Sequence, residues 1–106
     1  MVIIWSDFAA SKLSEILDYY KELAGEKIAK KIKTNIFKTT RQLLEHPFSG
    51  QIEPTLQVLN EEHRYLINAN FKIIYKLVKV GILITDVFDT RQEPVKMNNA
   101  KRKSDC

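Results

Sequence analysis

The chain has 106 residues, of which 44% are hydrophobic and 28% charged, a composition typical of one globular domain. The net charge of +4 and the pI of about 9.2 are a mild basic bias, which excludes a polybasic arm but allows an anionic partner. The one cysteine, Cys106, excludes an internal disulfide framework and suits a reducing cytoplasm. We expect no metal, no cofactor, no signal peptide and no membrane span, because ligand spacings and long apolar runs are missing.

The N-terminal half predicts one strand followed by two helices. Val2 to Trp5 is a short β-branched run typical of a strand, and Ser6 then stands where a helix N-cap belongs. Gly25 is a natural helix terminator, and a second helix is predicted from Glu26 to Glu45, closed by Pro47. The short connection indicates an antiparallel helical hairpin. The apolar residues at helical spacing are Leu13, Ile16, Leu17, Tyr20, Leu23, Ile28, Ile32, Ile36 and Leu43.

The C-terminal half predicts a loop and then three antiparallel strands. The loop covers Pro47 to Glu62, with one helical turn near Leu56 to Leu59. The strands are His63 to Ala69, Phe71 to Val78 and Ile82 to Asp89, of which the last is apolar on both faces at its start and therefore central. Two helices on one face of a four-stranded sheet give a two-layer α+β domain. We expect a single domain over residues 1–96 and a polar tail over residues 97–106.

Four stretches, taken in this order and at this spacing, resemble the RelE/ParE superfamily of toxins from type II toxin–antitoxin pairs. They are "IIWSDFAASKLSEILDYY", "LLEHPFSG", "RYLINANFKIIYKL" and "VFDTRQEP", and the resemblance covers Val2 to about Lys96. It implies the fold derived above, a cytoplasmic location and a cognate antitoxin that silences the toxin. The superfamily's activities divide: RelE-like members cleave messenger RNA on the ribosome, whereas ParE-like members poison DNA gyrase.

The resemblance implies candidate cations for either activity. Lys72 and Arg64 lie in the stretch that looks like the family's arginine-rich hairpin, and Arg91 stands in the Arg-x-x-Pro ending of the ParE-like branch. A ribonuclease would use these three for catalysis, and a gyrase poison would use them for target binding. Metal-free RNA cleavage also needs a proton-transfer group, and the Tyr or His that RelE-like members carry near the C-terminus is missing after Arg91. Glu93 is the only titratable residue there that could exchange a proton.

We therefore expect a ParE-like toxin that is not an enzyme. The alternatives are a ribosome-dependent, metal-independent endoribonuclease and a non-toxic relative that only binds antitoxin. Two histidines and one tyrosine are interpreted structurally: His63 as an exposed strand end, Tyr65 as a packing residue with a polar tip, and His46 as a helix-end residue. A stripe of cations on the second helix is interpreted as a solvated face rather than a nucleic-acid site. Its members are Lys27, Lys30, Lys31, Lys38 and Arg41.

The expected partners are an acidic, partly disordered antitoxin and either gyrase or the ribosome. A helical hairpin on one face of a sheet leaves a groove and an open strand edge, where a disordered segment can fold on binding. An acidic antitoxin would complement the +4 charge. The candidate antitoxin contacts are apolar residues that flank the buried helix faces, namely Phe8, Tyr19, Phe37 and Leu44. For each of them, peripheral core packing is the competing interpretation.

Overall fold

A computed structural model describes residues 1–53 and 62–91. The helices are α1 (Asp7–Ala24) and α2 (Glu26–Arg41), followed by a 3₁₀ turn at Gln42–Leu44, and the strands are β1 (Val2–Trp5), β2 (Gln51–Ile52), β3 (Arg64–Asn68), β4 (Phe71–Val78) and β5 (Gly81–Asp89). The predicted turn at Leu56 to Leu59, the end of the predicted domain and the predicted tail lie outside the described residues.

The helical hairpin begins and turns where the sequence indicates. The Ser6 side chain accepts a hydrogen bond of 3.0 Å from the Ala9 backbone N–H, which caps α1. Gly25 then adopts a φ of 99°, a conformation that favours glycine, and its N–H donates to the Lys21 carbonyl at 3.0 Å. The predicted end of α2 at Glu45 was wrong. The regular helix ends at Arg41, and the chain then forms the 3₁₀ turn before Pro47.

The sheet has five strands in the described part of the chain, in the order β1-β5-β4-β3-β2. The central position of β5 is confirmed: it pairs in parallel with β1 and antiparallel with β4. The predicted four-strand sheet was one strand short, because β2 lies in the segment predicted as loop. A strand of two exposed residues carries no periodic signal, and it forms because Gln51 and Ile52 pair with Tyr65 and Arg64.

Close contact between β1 and β5 depends on Gly81. A Cβ at this position would lie 2.1 Å from the Val2 carbonyl oxygen and 2.6 Å from the Val2 nitrogen, which backbone atoms cannot accommodate. The N-terminal strand therefore enters the sheet only because residue 81 has no side chain.

Both helices pack on one face of the sheet and form the main core. Its fully buried members include Ile36, Leu43, Ile73, Ile82 and Ile84, and each contributes about 1.5–3 kcal/mol by leaving water. A smaller cluster of Ile74, Phe88 and Tyr65 lies on the opposite face.

Two predictions of burial were wrong. Ile28 was placed with the apolar residues of its helix, yet 41% of it is exposed, because it lies in the first turn of α2 and lines a pocket beside the β3–β4 turn instead of packing in the core. His63 was interpreted as exposed, yet only 5% of it is exposed. Its carbonyl accepts a hydrogen bond of 2.8 Å from the Glu53 N–H, so the chain that follows β2 runs beside it.

Tyr75 fastens the segment that joins the helices to β2. Its hydroxyl donates to the Pro47 carbonyl at 2.9 Å and accepts from the Gly50 N–H at 3.0 Å. The ring is completely buried, and this burial raises the pKa of Tyr75 above the ordinary value of 10.0, while the bond from Gly50 opposes the rise.

We expect Tyr75→Phe to lower the free energy of unfolding by about 1–3 kcal/mol at neutral pH, because the buried Gly50 N–H loses its acceptor. The deficit should shrink above about pH 10, because the wild-type tyrosine ionises more readily in the unfolded chain and its stabilising contribution is lost. Urea unfolding of both proteins at neutral and alkaline pH measures this. Tyr65→Phe, at a half-buried position, is the control, and a deficit that grows with pH would contradict the assignment.

Candidate functional site

A network of four polar residues closes one end of the sheet. Tyr20 of α1 donates its hydroxyl proton to Oδ2 of Asp89, the last residue of β5. Oδ1 of Asp89 accepts from Nδ2 of Asn70, in the β3–β4 turn, at 2.7 Å and from the Arg91 backbone N–H at 3.0 Å. Nη2 of Arg91 donates to the Tyr20 hydroxyl oxygen at 2.8 Å. The network thus joins a helix, a turn and a strand end.

This network holds an exposed cation in a defined place. Asp89 is completely buried, and its carboxylate is satisfied by donors on three chain segments, whereas 66% of the Arg91 side chain is exposed. The guanidinium of Arg91 is positively charged at every physiological pH, and the hydrogen bond to Tyr20 raises its pKa further. Arg91 Nε also lies 3.9 Å from Asp89 Oδ1. Arg91 is therefore both the partner of a carboxylate and a solvent-accessible cation.

Sequence reasoning missed the contribution of Tyr20. The residue was assigned to an apolar helix face, and its ring is indeed buried, with 7% exposed. The only available signal was a hydroxyl on the buried side of a helix, which requires a hydrogen-bond partner. Since that partner lies 69 residues further along the chain, spacing could not have identified it.

Lys72 lies on the opposite face of the sheet. Its ammonium pairs with Glu53 Oε1 at 2.5 Å and lies 4.3 Å from the centre of the Tyr65 ring. The Glu53 side chain is 1% exposed and that of Lys72 is 18% exposed. Lys72 therefore neutralises a buried carboxylate and covers an aromatic ring, which are structural roles.

Arg64 fastens the loop beside β2. Its guanidinium donates to Glu62 Oε2 through Nε at 2.9 Å and to the Gly50 carbonyl through Nη1 at 2.9 Å. It also stacks 5.0 Å from the centre of the Phe48 ring. Several of its donors are thus directed at the protein itself.

The sheet geometry separates the three predicted cations. Phe71 pairs with Asp89 beside Arg91, whereas Arg64 pairs with Tyr75, four residues further along β4 and hence roughly 13 Å away at about 3.3 Å per residue. Lys72 follows Phe71 directly, so its side chain points to the other face. The three cations therefore do not meet in one cleft.

The histidines also lie away from Arg91. His63 directly precedes Arg64, at the end of β3 remote from Asn70. His46 precedes Pro47, whose carbonyl binds Tyr75 near that same remote end. In residues 1–53 and 62–91 no group of three His, Cys, Asp or Glu side chains could hold a metal ion.

The predicted antitoxin contacts are distributed along the helical hairpin and the 3₁₀ turn that follows it. Phe8, Tyr19 and Leu44 are 36%, 44% and 40% exposed. Phe37 is half-buried, with its ring edge-on to Trp5 at 5.5 Å. Phe37 and Trp5 line a groove of about 340 Å³ on the hairpin. The other residues of this groove are Ala10, Leu13, Ser14, Leu17, Asp18 and Lys33.

Comparison with known proteins identifies the family. Residues 3–94 match the family model of the ParE toxin of the type II toxin–antitoxin system parDE, and the chain belongs to this family. A solved structure described as a chromosomal ParDE toxin–antitoxin system from P. aeruginosa has the same fold: the TM-score is 0.68 at 24% sequence identity, over 84% of this chain and 95% of that chain. A comparison with curated protein sequences found no match.

Family membership confirms the resemblance and defines the class of protein. The chain is a ParE toxin of a type II system, and such a system implies a cognate ParD antitoxin. None of the helices in the described ranges is long and apolar enough to cross a membrane.

We expect Tyr20→Phe to lower the free energy of unfolding by about 1–3 kcal/mol, because buried Asp89 Oδ2 loses its donor. Tyr19→Phe, at the adjacent and 44% exposed position, should change it by less than about 0.5 kcal/mol. Urea unfolding at neutral pH measures both. Equal effects of the two substitutions would show that the Tyr20 hydroxyl carries no special part of the stability.

Proposed function

We propose that this ParE toxin inhibits growth by binding a macromolecular target, DNA gyrase, and that it is not an enzyme. The observation that carries the proposal is the exposed guanidinium of Arg91, which is hydrogen-bonded to Tyr20 and follows the buried Asp89 at the end of β5. A pre-oriented arginine is a typical anchor of a protein interface, because little side-chain freedom is lost when it binds. Gyrase as the target comes from the ParE family and not from any single contact.

Arg91 is the principal candidate for target binding among the three predicted cations. Lys72 and Arg64 stay candidates, but their charges are directed toward Glu53 and Glu62. A target would have to compete with these internal partners, whereas most of the Arg91 side chain faces solvent. We therefore expect Arg91 to contribute more to target affinity than either of them.

The alternative function, ribosome-dependent cleavage of messenger RNA, has one observation in its favour. Tyr20 brings a phenol within 2.8 Å of Arg91, which supplies from α1 an aromatic hydroxyl that the C-terminal sequence lacks. The proton of this hydroxyl is committed to Asp89, and the side chain is 7% exposed. General acid–base catalysis requires a group that can reach the reacting atoms, so this arrangement favours positioning over proton transfer.

For the antitoxin, we propose contacts along the hairpin through Phe8, Tyr19 and Phe37 and at the following 3₁₀ turn through Leu44. What supports this is that three of these four apolar side chains are exposed and that Phe37 lines a groove with Trp5. A disordered ParD segment could fold onto such a surface, and an acidic one would be attracted by the net charge of +4. We also propose that the pair acts in the cytoplasm, where gyrase is found.

The target can be tested with purified toxin and gyrase. We expect the toxin to block supercoiling, and Arg91→Ala to raise the concentration needed for half-inhibition about tenfold, which corresponds to about 1.4 kcal/mol of binding free energy. Lys38→Ala, an exposed cation on α2 remote from the network, is the matched control and should change it by less than about twofold.

Primer extension after induction in cells separates the two functions. Intact transcripts together with arrested growth support a gyrase poison. Defined cuts in translated transcripts that disappear with Arg91→Ala would instead establish a ribonuclease. Unimpaired growth and unaffected gyrase would leave the non-toxic relative, which only binds antitoxin.

A further inference from the structure

A pocket of about 320 Å³ lies between the helical hairpin and the β3–β4 turn, next to Arg91. Leu23 and Ile28 line it from the two sides of the hairpin, and Asn70 lines it from the turn. This volume is at the small end of ligand pockets, which span about 300–1,000 Å³. It suits one large side chain with its neighbouring groups. The pocket lining does not include any of the hairpin residues proposed above for antitoxin binding.

The apolar side of the pocket is formed by residues that the core leaves exposed. Leu23 and Ile28 continue the apolar spacing of their helices, yet 65% and 41% of them are exposed. Ile32 lies one turn further along α2, and it is half-buried against the main core. Exposed apolar side chains gathered around a concavity are typical of a surface that a partner covers. The exposed positions of Leu23 and Ile28 are thus explained if an apolar group of a partner packs against them.

The charged side chains that line the pocket are all positive. Arg91 and Lys31 are the charged residues that line it, and both are cations. The Asp89 carboxylate lies 3.9 Å from Arg91 Nε and offsets part of its charge, but it is completely buried and bound by Tyr20, Asn70 and the Arg91 backbone, so it presents no free carboxylate oxygen to the pocket. A carboxylate that approaches the pocket therefore meets two positive charges, one of which is already oriented.

The aromatic residues argue against a nucleobase as the occupant. Stacking of single-stranded nucleic acid requires exposed ring faces. The two aromatic residues in the lining, Tyr20 and Phe71, are only 7% and 3% exposed, and their rings pack against each other edge-on at 5.8 Å. The available surface is aliphatic instead, which suits an aliphatic or aromatic amino-acid side chain.

We propose that this pocket is a docking site for an acidic peptide segment of a partner protein. One apolar side chain of that segment packs against Leu23 and Ile28, and a flanking carboxylate pairs with Arg91 and Lys31. The inference concerns the chemistry of the occupant, and it holds whether or not gyrase is the target of the toxin.

The probe is a short acetylated and amidated peptide with one leucine between glutamates, titrated into the labelled toxin and followed by two-dimensional NMR of the backbone amides. We expect saturable shifts at Leu23, Ile28 and Asn70, with a dissociation constant on the order of 1 mM. The same peptide with lysines in place of the glutamates should bind at least fivefold more weakly. Added salt should weaken binding of the acidic peptide, because the exposed charges are screened.

Matched variants test the charged side and the apolar side of the pocket separately. Arg91→Gln and Ile28→Ser should each weaken the acidic peptide about fivefold, the first through lost charge and the second through lost apolar contact. Lys31→Gln should weaken it about twofold, whereas Lys38→Gln on the same helix should not change it. Val80→Ser, at a 61% exposed apolar position in the β4–β5 turn, is the corresponding apolar control. Unchanged spectra outside the pocket show that each variant is folded.

Three results would overturn the proposal. Equal binding of the lysine peptide would exclude a site selective for acidic segments. Shifts at the same residues with a short oligothymidine, but not with the acidic peptide, would assign the pocket to nucleic acid instead. The absence of saturable shifts at these residues with any probe would show that the pocket does not bind peptides.

Discussion

The buried carboxylate of Asp89 is the interaction on which the arrangement of this toxin's candidate site depends. A buried charge is costly unless its lone pairs find donors, and here the donors come from Tyr20 of α1, Asn70 of the β3–β4 turn and the Arg91 backbone two residues after β5. These three segments are consequently held at one end of the sheet. Removal of any one donor leaves the carboxylate under-satisfied in the protein interior.

Arg91 differs from the lysines that pair with buried carboxylates, because most of its side chain faces solvent. Arg91 contributes its backbone N–H to Asp89 and its guanidinium to Tyr20, so most of its side chain remains in solvent with a fixed direction. Lys72 pairs with buried Glu53 on the other sheet face. Lys12 of α1 pairs with buried Asp86 of β5 at 3.3 Å. Lys72 and Lys12 thus neutralise Glu53 and Asp86, whereas Arg91, which lies 3.9 Å from the buried Asp89, keeps most of its side chain in solvent at the mouth of a pocket.

The sequence predicted the elements whose signals are local. The Ser6 cap, the Gly25 turn and the strand from Phe71 to Val78 each depend on neighbouring residues, and the structure confirms them. The two-residue strand β2 and the burial of His63 could not be predicted, because both arise from pairing between segments separated in sequence.

The same reason explains why Tyr20 was not connected with Arg91, 71 residues away. Periodicity placed Ile28 on the apolar face of α2, but it could not show that the start of this face lines an open pocket and not the core. Local patterns therefore gave most of the fold, while the candidate site came from contacts between distant segments.

Heteronuclear NMR relaxation of the Arg91 Nε–H tests most directly whether the network fixes this cation. Arg41, an exposed arginine at the end of α2, is the internal reference. We expect an order parameter of about 0.8 for Arg91, close to that of rigid backbone, and one below about 0.6 for Arg41. An Arg91 side chain as mobile as that of Arg41 would contradict the view that Tyr20 and Asp89 hold it ready to bind.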